Sequence, residues 1–468
     1  MKIQNLGPVN DADITMNDLT VFIGDNGTGK TLTSYVLYTF VKWFITKYTA
    51  TLMTNADVEQ LVLQREALAK PLTELTTAAA KQFNHLSPDD RRTLFTETFG
   101  DTPLIEGQHT TITVTSQDIE AMMQCQLTEK SFSISWDYSA NLVAKEGTVR
   151  TDWTNRIRYH LDRQQNLVFD YLITDKQGNQ LAAVDSHNEI SVITSDTISQ
   201  FLNLNIKSRL YATNYVYLPA ERIGINTFRN EISTRRANET FSTNPPITDD
   251  SDNSNEQSGL SQTRIAHYPM AIEDYIKFLN TNIASEHQSR PAIDVASFSK
   301  AYPELVPGDF SVDTTSREIS YSIDGAKIPF NLVSSSLKSL FGLDLFFKNI
   351  GAHDYLFIDE PEMNLHPKRQ KMIIELLYQL ITQGLKIVIS THSDYLVKAL
   401  INLMLADKLA TRPAYQHVSV YDFNNQQIHR IDDILTADMG NFDTTTNEIN
   451  RTYYDLLDQR DNADTGDA

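Results

Sequence analysis

Cysteine is all but missing from this chain of 468 residues, since Cys125 is the only one. An intramolecular disulfide framework and a cysteine-based zinc site are thereby excluded, and the composition fits a reducing compartment. Positive charge is also scarce, with 40 Lys and Arg against 60 Asp and Glu and a formal net charge of −20. A protein that adheres to nucleic acid or to membrane surfaces by general basic charge is disfavoured, while a locally basic groove stays compatible with the balance. Long apolar runs are absent too. The longest, Tyr35 to Ile45, is interrupted by Lys42 and is too short to span a bilayer, and no charged-then-apolar leader opens the chain. A cytoplasmic location without a membrane partner is expected. What is present is enough chain for about three folding units, or one large domain with insertions.

Strand-like alternation is expected at Lys2 to Asn5 and at Leu19 to Ile23, the second running into a glycine-rich turn and then an apolar helix from Lys30 to about Lys47. Val58, Leu61, Leu68, Leu72 and Leu75 lie near helical spacing in a run from Ala56 to Asn84, which Pro71 kinks or ends. From Thr110 to about Thr194 the period changes to two, as in Ile112 and Val114, Phe132 to Trp136, Val168 to Ile173 and Ile190 to Ile193. This predicts a strand-rich insertion, with helical pieces around Asn155 to His160. Tyr211 to Leu218 reads as a further core strand, and Thr240 to Gln262, rich in Ser, Asn, Asp and Pro, as a mobile loop. A helix from Ala271 to Ile283, an antiparallel hairpin from Phe310 to Asp324 and a helix from Ser335 to Asn349 follow. Tyr355 to Ile358 and Ile387 to Ser390 are short continuous apolar runs of the kind buried on both faces of a parallel sheet, with a helix from Lys368 to Thr382 between them. Helical pieces at the extreme C-terminus fade into an acidic tail.

The residues that carry chemistry fall at the ends of these strands. Gly24, Asp25, Asn26, Gly27, Thr28, Gly29, Lys30 and Thr31 have the P-loop spacing, with four residues between the outer glycines and then Lys and Thr. Glycines let backbone N–H groups close around phosphates at a helix N-terminus, Lys30 reaches the β and γ oxygens, and the Thr31 hydroxyl ligates Mg²⁺. Tyr355 to Ile358 run straight into Asp359 and Glu360. A strand-end Asp359 would hold the metal shell and Glu360 would orient or deprotonate an attacking water, whereas two acids in a solvent-exposed turn are the bland alternative. His392 lies just past the next buried strand, within reach of a γ-phosphate; a lone His elsewhere is more often structural.

Three runs, Phe22 to Thr31, Leu356 to Pro367 (LFIDEPEMNLHP) and Val388 to Ser393 (VISTHS), resemble the P-loop, the strand-end acids with the D-loop, and the switch histidine of ABC-type ATPases. With the Leu218 to Arg222 run (LPAER), the chain resembles more narrowly the OLD-like branch, related to RecF and SMC proteins and common in bacterial and phage-defence systems. The resemblance covers about 1–47 and 211–429. It implies an α/β fold in which an ABC-type P-loop ATPase core is assembled from N- and C-terminal segments, at 1–50, 206–239 and 266–430. A helical and β-rich insertion would occupy 51–205, a mobile acidic and polar loop 240–265, and a C-terminal helical segment with the acidic tail 431–468. ATP and Mg²⁺ are the implied cofactors and slow ATP hydrolysis the implied activity, with Glu360, His392 and Lys30 catalytic and Thr31 and Asp359 on the metal.

The family's fourth element is a serine-glycine segment that contacts the γ-phosphate bound by another subunit. Its position here is Ser334, Ser335 and Ser336, with Ser336 in place of the usual glycine, and a plain serine helix cap uses the same residues. A head-to-tail homo-oligomer, at least a dimer, is implied. His366, at the end of the D-loop, is an interface candidate, and Arg222 is either an internal ion-pair residue or a nucleotide sensor. OLD-like nucleases carry a C-terminal TOPRIM domain, for which the stretch after the last core strand is too short. A nuclease or toxin effector is therefore expected on a separate chain, as with the ATPase subunits of the PARIS and Septu defence systems. The alternative is a RecF- or SMC-like DNA-repair ATPase. It lacks the heptads of an SMC coiled coil, and DNA contact stays open. A transporter subunit is disfavoured by the long insertion, and a GTPase by the lack of an Asn-Lys-x-Asp segment.

Overall fold

Leu19–Ile23, Tyr355–Asp359 and Lys386–Thr391 are buried at every residue, a pattern that a sheet covered on both faces accommodates. The computed structural model describes the chain apart from residues 49–51, 101–109, 123–130, 145–146, 176, 178, 181–194, 211–213, 230, 232–267, 285–294, 314–317, 350–353, 425–426, 432–447 and 458–468. Its strands are β1 (Lys2–Leu6), β2 (Val9–Asp13), β3 (Leu19–Ile23), β4 (Leu68–Pro71), β5 (Thr111–Thr113), β6 (Phe132–Ala144), β7 (Gly147–Leu161) and β8 (Asn166–Asp175). They continue with β9 (Tyr215–Leu218), β10 (Asp309–Val312), β11 (Ile319–Ile323), β12 (Ala326–Pro329), β13 (Tyr355–Asp359), β14 (Lys386–Thr391), β15 (Val418–Asp422) and β16 (Gln427–Arg430). The helices are α1 (Lys30–Thr46), α2 (Asn55–Leu63), α3 (Leu72–Asn84), α4 (Pro88–Phe99), α5 (Ser116–Glu120) and α6 (Ser195–Leu210). After α7 (222–229) come α8 (Met270–Ala284), α9 (Ala301–Leu305), α10 (Ser335–Asn349), α11 (Pro367–Ile381), α12 (Asp394–Leu409) and α13 (448–457).

One sheet organises the molecule, in the order β5-β1-β2-β16-β15-β3-β14-β13-β9. Its heart, β15, β3, β14, β13 and β9, is parallel. The far side is mostly antiparallel, through β16 on β15, β2 on β1 and β1 on β5. Because side chains alternate across a strand, each core strand feeds two layers. Phe22, Tyr217, Tyr355, Phe357 and Val388 pack with Tyr38, Phe40 and Phe44 of α1. Val21, Ile23, Leu356, Ile358, Ile387 and Ile389 pack with α8, α10, α11 and α12 through side chains such as Tyr275, Phe346, Leu377 and Leu396. Each such fully buried side chain contributes roughly 1.5–3 kcal/mol. The chain is thus an α/β protein whose core combines the first strands and α1 with strands from the C-terminal half.

The 51–205 region carries helices and a second, antiparallel sheet, β4-β8-β7-β6. Two expectations are corrected here. The run from Ala56 to Asn84, expected to be helical with a kink or an end at Pro71, is already interrupted before that proline. It splits into α2 and α3 around β4, an edge strand ending at Pro71, where the missing N–H costs no ladder bond. The helical pieces expected around Asn155 to His160 are strand, inside β7. Ile157 and Tyr159 point into the core while Arg158 is half-exposed, and β6 and β8 pair on either side, so the period is two. The strand-like Ile190 to Ile193 and the loop at Thr240 to Gln262 lie outside the described residues. Among the described residues no helix is long and apolar enough to cross a membrane.

Candidate functional site

β3 delivers the chain to the glycine-rich turn, and α1 begins at Lys30. Gly29 sits at φ +99°, where an L side chain is strained, and a Cβ there would meet Val9 Cγ2 at 2.6 Å. Gly27, at φ +79°, has open space where its Cβ would be, which leaves the turn accessible to a ligand. Lys30 is buried, and its Nζ donates to the carbonyls of Gly24 at 2.8 Å and Asp25 at 2.6 Å. Burial pulls the ammonium below the usual lysine range, opposed by the negative charges of Asp359 and Glu360. Thr28 closes the turn by donating to Asp25 O at 2.8 Å, and the Asp25 N–H donates to Asn424 Oδ1 at 2.9 Å.

The end of β13 faces this turn. Thr31 Oγ1 donates to Asp359 Oδ2 at 2.8 Å, and the hydroxyl of Ser390 on β14 donates to Asp359 Oδ1. Asp359 is buried, and desolvation, against the Thr31 hydrogen bond, pushes its carboxyl up to about 7. Glu360 adopts a left-handed φ of +49°, which few non-glycine residues hold without support. Its N–H donates to Ser390 O at 2.9 Å and its carbonyl accepts from Arg222 Nη2 at 2.7 Å. The Glu360 carboxylate stands 3.4 Å from His392 Nδ1, on a ring whose side chain is 42 % exposed. The eight-residue turn, both strand-end acids and the histidine therefore meet at the carboxyl ends of three adjacent parallel strands, where α/β sheets present their ligand sites.

The serine segment has hydrogen-bond partners of its own. Ser334 caps α10, accepting from the Leu337 N–H at 3.4 Å, Ser335 is exposed, and Ser336 Oγ accepts from Arg369 Nη1 at 3.0 Å. Among the described residues no hydrogen bond joins these serines to Lys30, Thr31, Asp359, Glu360 or His392. His366 is the exposed N-cap of α11, its Nδ1 accepting from the Lys368 N–H at 3.3 Å. Arg222 is only 2 % exposed. Its guanidinium donates to four backbone carbonyls, those of Pro219 (3.1 Å), Ser339 (3.1 Å), Asp359 (2.8 Å) and Glu360 (2.7 Å). Arg222 thus braces the backbone of both acids from behind.

Four further residues shape the site and were not singled out from the sequence: Ser390 on Asp359, Asn424 on Asp25, Arg369 on Ser336, and Glu362. Glu362 lies inside the LFIDEPEMNLHP run, and its nearness to a strand-end acid pair was the one available signal.

The AAA_15 family model, described as an AAA ATPase domain, matches residues 1–397. No curated relative matches the chain. Among solved structures, an SMC head bound to the C-winged helix domain of ScpA aligns at 9 % identity and a TM-score of 0.29, over 92 % of this chain and 95 % of that one. The SMC head domain from Thermotoga maritima aligns at 9 % identity and 0.28, over 92 % and 96 %. An SMC head with an extended coiled coil, bound to the C-terminal domain of ScpA derived from Pyrococcus furiosus, aligns at 8 % identity and 0.28, over 92 % and 94 %. Scores this low do not identify a fold.

Proposed function

The chain belongs to the AAA ATPase domain family and binds and hydrolyses ATP; on that premise we propose that it is a molecular switch of the ABC, RecF and SMC type, which reports its nucleotide state to a separate effector protein. The observation that carries the site assignment is the 2.8 Å bond between Thr31 Oγ1 and Asp359 Oδ2, which joins the glycine-rich turn to the strand-end acids. The backbone of Gly24 to Thr31 would cradle the phosphates, with Lys30 exchanging the carbonyls of Gly24 and Asp25 for β and γ oxygens. Glu360 would orient the attacking water and accept its proton, and His392, beside it, would contact the γ-phosphate.

Mg²⁺ fits the donor set. Thr31 and Asp359 offer two hard oxygen donors that already touch, and the buried Asp359 carboxylate needs a neutralising partner. Among the described residues no group of three or more His, Cys, Asp or Glu could hold a metal. Mg²⁺ takes one or two protein ligands and completes its shell with water and substrate phosphates. When bound, it would neutralise charge on the phosphates.

Ser334, Ser335 and Ser336 would complete the site of a neighbouring copy, giving a head-to-tail dimer or larger homo-oligomer. The motif resemblance to defence-system ATPases supports a nuclease or toxin as the effector. The test of the hydrolytic site is Glu360→Gln, whose amide can hold the water and cannot take its proton. ATP binding measured by calorimetry should persist while turnover falls about 10²- to 10⁴-fold. Turnover at the wild-type rate would remove Glu360 from the chemistry.

A further inference from the structure

Glu362 carries more structure than a loop acid requires. It follows β13 by three residues and is 5 % exposed, yet it reaches across to the end of β14. Its Oε1 accepts from the Thr391 hydroxyl at 2.7 Å and from the His392 N–H at 3.1 Å, and stands 3.6 Å from His392 Nδ1. Its Oε2 is buried and, among the described residues, has no hydrogen-bond partner. Burying a carboxylate with one oxygen unpaired is costly, and native structures tolerate such groups where they serve a function.

The clamp on β14 does not explain the charge. Both donors, a hydroxyl and a backbone N–H, would be satisfied equally by the carbonyl oxygen of a glutamine. The neighbouring charges are those of Lys30, Arg222 and Glu360, and both Lys30 and Arg222 feel Glu362. Lys30 donates to Gly24 and Asp25, and Arg222 donates to four carbonyls, so the hydrogen bonds described for these two cations go elsewhere. The His392 ring is different. Its Nδ1 lies between two carboxylates, 3.4 Å from Glu360 and 3.6 Å from Glu362.

We propose that Glu362 is a positioning residue for His392: it fixes the backbone of the histidine through the His392 N–H and Thr391, and its charge holds the hydrogen on Nδ1. Nε2 is then the nitrogen available to phosphate or water. Acting on both the backbone and the ring of one residue, Glu362 sets the tautomer and orientation together, as second carboxylates do for histidines in other polar sites. The inference rests on the hydrolytic reading of Glu360 and His392 given above.

The test is a double-mutant cycle on ATP turnover in the full-length protein, with ATP affinity and thermal unfolding measured in parallel. Glu362→Gln keeps the acceptor for Thr391 and His392 and removes the charge. It should lower kcat about 10- to 100-fold with KM within about 2-fold of wild type and unchanged unfolding. In a His392→Ala background the same substitution should cost nothing further, because its effect passes through the ring. Glu362→Asp, which keeps the charge and shortens the reach, runs the same cycle should the glutamine variant not fold. Wild-type kcat in Glu362→Gln, or losses that add fully to those of His392→Ala, would overturn the proposal. Glu360→Gln separates the two levels: if it too turns over at the wild-type rate, the hydrolytic reading itself has failed, whereas a slow Glu360→Gln beside a normal Glu362→Gln defeats only the role of Glu362.

Discussion

Replacing Arg222 by Met tests how the acid pair is held. Four carbonyls, of Pro219, Ser339, Asp359 and Glu360, receive hydrogen bonds of 2.7–3.1 Å from this one buried guanidinium. Methionine fills a similar volume and donates nothing. Each buried carbonyl left unsatisfied costs about 1–3 kcal/mol, and removing the buried cation returns several kcal/mol of desolvation. The net expected loss is about 3–5 kcal/mol, the usual range for breaking one side of a buried charged network. At about 1 °C per kcal/mol, the shift expected when a chain of 468 residues unfolds as one unit, this lowers the melting temperature by roughly 3–5 °C. Activity should fall further than stability implies, even well below the melting temperature. Glu360 is held at φ +49° by its N–H to Ser390 and its carbonyl to Arg222, and losing the second lets the backbone relax toward a commoner conformation. Arg222→Lys keeps the charge but not the planar fork, so it should recover only part of both losses. Differential scanning calorimetry and a phosphate-release assay read the two effects. An Arg222→Met protein that melts within about 2 °C of wild type and turns over ATP normally would refute this bracing.

Lys30→Ala should weaken ATP binding about 10- to 150-fold by calorimetry, because a charge-assisted bond to phosphate is worth about 1.5–3 kcal/mol; equal affinity would remove the phosphate role. Mixing inactive Lys30→Ala with an inactive variant changed at Ser334, Ser335 and Ser336 leaves one intact composite site in each mixed dimer. Turnover should partly return, and silence in mixtures shown to contain mixed dimers would argue against a shared site. The purified protein should leave DNA and RNA intact with Mg²⁺ or Mn²⁺, with and without ATP. Cleavage that survives stringent purification and disappears on a point change in this chain would move the effector into the chain itself.

The glycine-rich turn was legible because its chemistry is local. Eight consecutive residues specify it, and positive φ at Gly24, Gly27 and Gly29 is a property of glycine itself. The strands β13 and β14 were legible because burial on both faces writes a continuous apolar run into the chain. Weaker local patterns failed. β2 reads Val-Asn-Asp-Ala-Asp, apolar at only two positions, and β4 ends in proline, so neither advertises a strand. The contacts that build the rear of the site had no local pattern at all. Arg222 meets Glu360 across 138 residues and Asn424 meets Asp25 across 399, distances over which one sequence holds no record of proximity.

The serine segment is the case where two readings of the same residues need not compete. As the cap of α10, Ser334 uses its oxygen as an acceptor for the Leu337 N–H, and Ser336 likewise accepts from Arg369. A hydroxyl that accepts one hydrogen bond still has its own hydrogen to donate, and a phosphate oxygen of a neighbouring copy would require that hydrogen. Ser335, exposed at the same helix start, adds a third donor beside the open N–H groups of the first turn. The side chain of Ser336, where the resemblance would put glycine, is drawn to Arg369. A Ser336→Gly change should therefore free Arg369 and leave the cap on Ser334 intact. If the side chain at 336 limits the approach of a neighbour's nucleotide, turnover should rise with protein concentration more steeply in Ser336→Gly than in wild type. An unchanged concentration dependence would mean that Ser336 stands clear of the contact.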